Sequence, residues 1–137
     1  MAPQTNSYLI VMEYFPQGDL YKLFHDRNWK PLPLNVIRQI MLHISQALII
    51  MHANGIVHGD IKPENVLIAS YNKTEASKIK VKLGDFGMSK VARGRNVAKQ
   101  VARGTDGYVA PEILAQQSDN ESQDIWSLGC LFFELLT

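Results

Sequence analysis

His58-Gly59-Asp60-Ile61-Lys62-Pro63-Glu64-Asn65, with Asp85-Phe86-Gly87 beginning twenty residues after Asn65, is the stretch from which the rest of the chain can be read. It sets a carboxylate, an amine two residues on and an amide three further on, just ahead of the apolar run Val66-Leu67-Ile68-Ala69. Singly, each group is ordinary: Asp60 reads as a turn or cap residue, Lys62 as a solvated surface lysine, Asn65 as a turn into a strand. Together, on one rigid loop, they can converge on a small site. Phosphoryl transfer asks for that set: a carboxylate beside the nucleophilic hydroxyl, a cation beside the moving phosphate, and oxygen ligands for metal ions. The Asn65 amide and Asp85 are hard oxygen donors of the kind Mg²⁺ takes together with substrate phosphates.

Working outward, Val66 to Ala69 and Lys80 to Leu83 predict two short strands around the polar stretch from Tyr71 to Ser77, a hairpin with a long loop. Upstream, apolar residues recur with helical period from about Asn35 to His52, and Asn54-Gly55 supplies a stop. Asp19 can cap a short helix whose face is Leu20, Leu23 and Phe24. Tyr8 to Tyr14, apolar and rich in branched and aromatic residues, predicts a buried strand before the turn signal Pro16-Gln17-Gly18. Downstream, Asp85 to Glu112 reads as mostly irregular, and an apolar helix is expected from about Asp124, itself a possible N-cap, to the end.

With 137 residues, 46% of them hydrophobic, the chain suits one domain or a large part of one. Fourteen basic against thirteen acidic residues leave a net charge of +1, which offers no electrostatic case for nucleic acid. A single cysteine, Cys130, in an apolar run rules out an internal disulfide, reads as a buried thiol and leads to the expectation of a reducing, intracellular and cytoplasmic setting. No signal peptide is read at the start, and no apolar run is read as approaching a membrane span, so no membrane partner is expected.

The order His-x-Asp-x-Lys-x-x-Asn, Asp-Phe-Gly, Ala110-Pro111-Glu112 and Asp124-Ile125-Trp126-Ser127-Leu128-Gly129 resembles the protein kinase catalytic core. Lys62-Pro63-Glu64-Asn65 and Gly104-Thr105-Asp106-Gly107-Tyr108 are similar to the serine/threonine branch of that family. The resemblance implies an α+β, protein kinase-like fold: residues 1–15 as the last N-lobe strand and hinge, and residues 16–137 as an incomplete, mainly helical C-terminal lobe. It implies ATP and Mg²⁺ as cofactors and a protein substrate bearing Ser or Thr. By the same resemblance Asp60 is the catalytic base, Lys62 stabilises the transferred phosphate, and Asn65 and Asp85 hold the metal. Met12 is implied at the back of the adenine pocket, Glu13 to Phe15 as the hinge, Asp19 near the ribose (a plain helix cap being the equal alternative), and Leu67 as the pocket floor. Thr105 and Glu64 are implied in substrate docking. His58, Phe86, Gly87, Glu112 and Asp124 are implied as structural anchors, with His58 and Phe86 stacked on each other.

The family's Gly-rich loop, strand lysine and helix glutamate have no counterpart in the sequence, and neither do its last C-lobe helices. The expectation is that these 137 residues alone are inactive. The apolar residues Ile125, Trp126, Leu128, Leu131, Phe132, Phe133, Leu135 and Leu136 cover nearly every face of their helix, so poor folding or aggregation is expected as well. Gly59 stands where many kinases carry a phosphate-binding arginine, and residues 91 to 103 contain no hydroxyl side chain. Both point away from switching by phosphorylation of that segment. The alternative reading is a non-catalytic module that binds ATP or protein, which would have no chemical need for Asp60, Lys62, Asn65 and Asp85 together.

Overall fold

Asp19 begins the first helix. Its carboxylate accepts a hydrogen bond from the Lys22 N–H at 2.8 Å, which satisfies one of the free donors of α1 (Leu20–His25). Leu20 and Phe24 are buried, with Leu23 packed beside them. The computed structural model describes residues 9–91, 104–115 and 120–137.

The helical period upstream of the central loop becomes α2 (Leu34–Ala53), which starts after Pro33 and stops at Asn54 and Gly55, the latter in the left-handed region at φ 66°. Val36, Ile37, Ile40, Ile44, Leu48 and Met51 form its buried stripe. Full burial of each such side chain contributes about 1.5–3 kcal/mol, so this stripe is the main source of cohesion. At 20 residues α2 is long and apolar enough to cross a membrane, contrary to the expectation that no run approaches that length. Its interspersed polar residues are too few to lower its hydropathy. In the fold its stripe packs on strands and on the last helix.

After β1 (Ile56–Val57) the chain passes through the central loop into a 3-10 turn over Pro63–Asn65, then β2 (Val66–Ser70), β3 (Lys80–Leu83) and β4 (Lys90–Val91). The helices α3 (Pro111–Leu114) and α4 (Ser122–Leu136) complete the described elements. β2 and β3 pair antiparallel, Val66 opposite Leu83 and Leu67 opposite Lys82, with an irregularity between Ile68 and Ser70. Their inner residues Val66, Ile68 and Val81 are buried while Lys80 and Lys82 face outward, as period-2 alternation dictates. The loop between them holds a 3-10 segment, Lys73–Lys78. β1 pairs antiparallel with β4, Val57 opposite Lys90, inside the stretch expected to be irregular. Two residues are too few for alternation to be read. α3 breaks the same stretch.

Two further expectations are corrected. No strand forms over Leu9–Tyr14; Tyr8 lies outside the described residues. Leu9 is 90% exposed and Val11 and Tyr14 nearly as much, because no described strand pairs with their backbone and a lone strand cannot satisfy its own N–H and C=O groups. Cys130 is only partly buried. In α4, Leu128, Leu131 and Leu135 enter the core, whereas Ile125, Trp126 and Phe133 remain exposed.

Candidate active site

The loop from His58 to Asn65 is held from behind by a buried carboxylate. Asp124 does not cap α4, which begins two residues earlier; its side chain turns into the core with no exposed surface. There Oδ2 accepts from the His58 N–H at 2.8 Å and from His52 Nε2 at 2.8 Å, and Oδ1 accepts from the Gly59 N–H at 2.8 Å. Three charge-assisted bonds make burial of the charge tolerable. Gly59 sits at φ 78°, a conformation that costs a residue with a side chain about 1 kcal/mol or more and costs glycine nothing.

His58, itself fully buried, ties this loop to the next. Its Nδ1 accepts from the Asp60 N–H at 3.3 Å, so Nε2 carries the proton and donates to the Gly84 carbonyl at 3.0 Å. The Gly84 N–H donates to the Asn65 carbonyl at 2.8 Å, and Ser89 Oγ donates to the His58 carbonyl at 3.2 Å. A side chain at 84 would place Cβ 2.7 Å from Leu67 Cδ1, so the Leu67 side chain would have to give way to admit one. The loop carrying Asp85 is thereby fastened beside Asn65. The rings of His58 and Phe86 lie 5.5 Å apart and tilted, although Phe86 is 56% exposed.

In front of this frame the polar groups converge. Asp60 Oδ1 accepts from Thr105 Oγ1 at 2.7 Å; Oδ2 accepts from Asn65 Nδ2 at 3.0 Å and lies 3.1 Å from Lys62 Nζ. Lys62 Nζ also donates to Thr105 Oγ1 at 2.7 Å, and Asn65 Nδ2 donates to the Asp60 carbonyl at 2.7 Å. Burial pushes the Asp60 carboxyl up, but the bonds from Thr105, Lys62 and Asn65 outweigh it and hold the group below the usual carboxylate range. Asp60 is therefore ionised at neutral pH. A carboxylate offers about four acceptor positions; three are used, and the one left is on Oδ1.

A divalent ion tests the remaining donors. Both Asn65 amide hydrogens go to Asp60, which leaves Oδ1 as the atom to meet a cation. Asp85, exposed at φ 54°, uses Oδ1 to cap the Gly87 N–H at 3.0 Å. Two hard oxygen groups on adjacent loops fit Mg²⁺, which keeps waters and phosphate oxygens as its other ligands. Among the described residues no cluster of three or more His, Cys, Asp or Glu side chains stands ready for a metal.

Residues assigned to the nucleotide are less gathered. Asp19 and Leu67 form an isolated bridge, and the Ile68 N–H donates to the Gly18 carbonyl at 2.8 Å, which brings together the two positions expected at the ribose and the pocket floor. Met12 is 71% exposed. Glu13 reaches Lys82 Nζ at 2.6 Å, and Phe15 lies beneath that ammonium. Glu64 is exposed in the 3-10 turn, and Glu112 is half-buried in α3. Most of the 91–103 segment lies outside the described residues, and only Val91 belongs to a described strand.

Two partners escaped the sequence reading. His52 looked like the last turn of an amphipathic helix, and only the fold brings it to Asp124. Tyr108 donates to Glu134 and accepts from Ser127 Oγ at its carbonyl, at 2.7 Å. Burial, then Glu134, pushes its phenol far above the ordinary range, so it stays a neutral donor.

A helical lobe with this carboxylate–lysine–asparagine loop, backed by a buried Asp and faced by an Asp-Phe-Gly turn, defines the lower part of a kinase. The family described as Protein kinase domain matches residues 1–137, and the chain belongs to that family. Probable serine/threonine-protein kinase gdt4 of Dictyostelium discoideum is 41% identical over 132 residues, covering 96% of this chain and 8% of that protein. Serine/threonine-protein kinase cds1 of Schizosaccharomyces pombe is 36% identical, with 93% and 27% covered. Calcium/calmodulin-dependent protein kinase type 1 of Caenorhabditis elegans is 45% identical over 102 residues, with 74% and 26% covered. The chain thus spans 8 to 27% of the length of these relatives.

Proposed function

We propose that a protein carrying this chain transfers the γ-phosphate of ATP to serine or threonine of a protein substrate, and that these 137 residues alone do not. The observation that carries the reading is the Asp60 cluster: an ionised carboxylate with one acceptor position open, beside a lysine and a threonine that hold it. Asp60 orients the substrate hydroxyl at Oδ1 and takes its proton. Lys62, positioned by Thr105, faces the developing charge on the phosphate oxygens. Asn65 and Asp85 hold Mg²⁺, which when bound neutralises phosphate charge. Asp19 and Leu67 border the nucleotide, with Glu13 to Phe15 as hinge, and Glu64 receives substrate. A cytoplasmic setting goes with the single cysteine.

Mg²⁺-dependent ATP binding and phosphate transfer to a generic protein acceptor test this, with Asp85→Ala and Asp60→Asn as comparisons. Loss of metal-dependent binding in Asp85→Ala, and retained binding without transfer in Asp60→Asn, are expected. Transfer by Asp60→Asn at the unaltered rate would remove the reading.

A further inference from the structure

Lys82 stands opposite Leu67 in the β2–β3 ladder, so the two side chains share the face that borders the proposed nucleotide pocket. From there its ammonium reaches back to the segment before α1: it bonds Glu13 Oε2 at 2.6 Å and lies 5.7 Å from the centre of the Phe15 ring. Leu9–Tyr14 has no strand partner among the described residues. Its far end is tied through the turn bond from the Gly18 N–H to the Phe15 carbonyl and by Gly18 to Ile68. The Lys82 contacts extend that attachment back to Glu13. We infer that Lys82 is a positioning residue for ATP, holding the Glu13–Phe15 backbone in register with the Leu67 floor. The inference rests on the kinase reading and adds to it a residue that touches neither adenine nor phosphate.

Both partners are more than half exposed, so the effect is modest. It acts through the fraction of molecules with the hinge in place, because apparent affinity falls as that fraction falls. In the full protein carrying this chain, Lys82→Ala should raise the Kd for Mg-ATP about three- to tenfold. KM for ATP should rise alike while kcat at saturating ATP holds. Lys82→Arg should bind as the unaltered protein does. Glu13→Lys combined with Lys82→Glu should return Kd to within about twofold, which a mere loss of folding would not allow. High salt should shrink the difference between Lys82→Ala and the unaltered protein.

Unchanged Kd in Lys82→Ala, a fall in kcat instead of a rise in KM, or no recovery in the charge-swapped pair overturns the inference and leaves the kinase reading standing. Absence of Mg-ATP binding by the unaltered protein overturns both.

Discussion

The loop from His58 to Asn65 and the segment from Leu9 to Tyr14 are both rich in meaning as sequence, and the fold treats them in opposite ways. The first is braced from behind: Asp124 from α4 and Gly84 from the following loop each bond it at 3.0 Å or less, and His52 from α2 bonds Asp124 in turn. The second is exposed, tied by a turn and a lysine. A catalytic loop can be completed by side chains from helices that pack anyway. A strand requires another strand, and apolar composition cannot stand in for a hydrogen-bonding partner.

The contrast would break most visibly at Asp60. Replacing it by Asn in the full protein should lower phosphate transfer by about 10²- to 10⁴-fold while costing only about 1 kcal/mol of stability, since the amide keeps the shape but loses the charge and one acceptor. A comparable loss of stability would mean that the cluster is mainly structural. Asp124→Ala comes next. It strands the buried His58 N–H, the part-buried Gly59 N–H and His52, and should cost roughly 2–4 kcal/mol in denaturant unfolding. A loss under about 1 kcal/mol would show that the brace is dispensable.

Acid sharpens the same point with a smaller effect. Asp60 titrates lower in the folded state than its ordinary 3.8, so its contribution is complete above that value and disappears as pH falls through the lowered one. Unfolding free energy should therefore rise with pH in that window, and Thr105→Val, which removes a bond to the ionised form, should flatten the rise by about 1 kcal/mol. An unaltered acid limb in that variant would contradict the role of Thr105. The smallest effect belongs to the exposed segment: Val11→Thr should change stability by no more than about 0.5 kcal/mol. A larger cost would reveal a packing partner for this segment.

The legible parts of the chain are those whose signal is local. Asp60, Lys62 and Asn65 sit within six residues, α2 repeats its period over five turns, and Asp19 precedes its helix directly; each emerges close to its expected place. His52 and Asp124 are separated by 72 positions, and neither spacing nor residue type announces that pairing. The β1–β4 ladder is too brief for alternation to show. No strand forms over Leu9–Tyr14 for the complementary reason: strand propensity is present, and among the described residues a facing backbone is not.

Cys130 adds a practical consequence. It is the one thiol in the sequence and lines the same open apolar groove as Tyr108, Trp126, Phe133 and Glu134. Within these 137 residues a maleimide fluorophore would attach at that one thiol. Its emission would report when that groove is covered, and by titration how tightly.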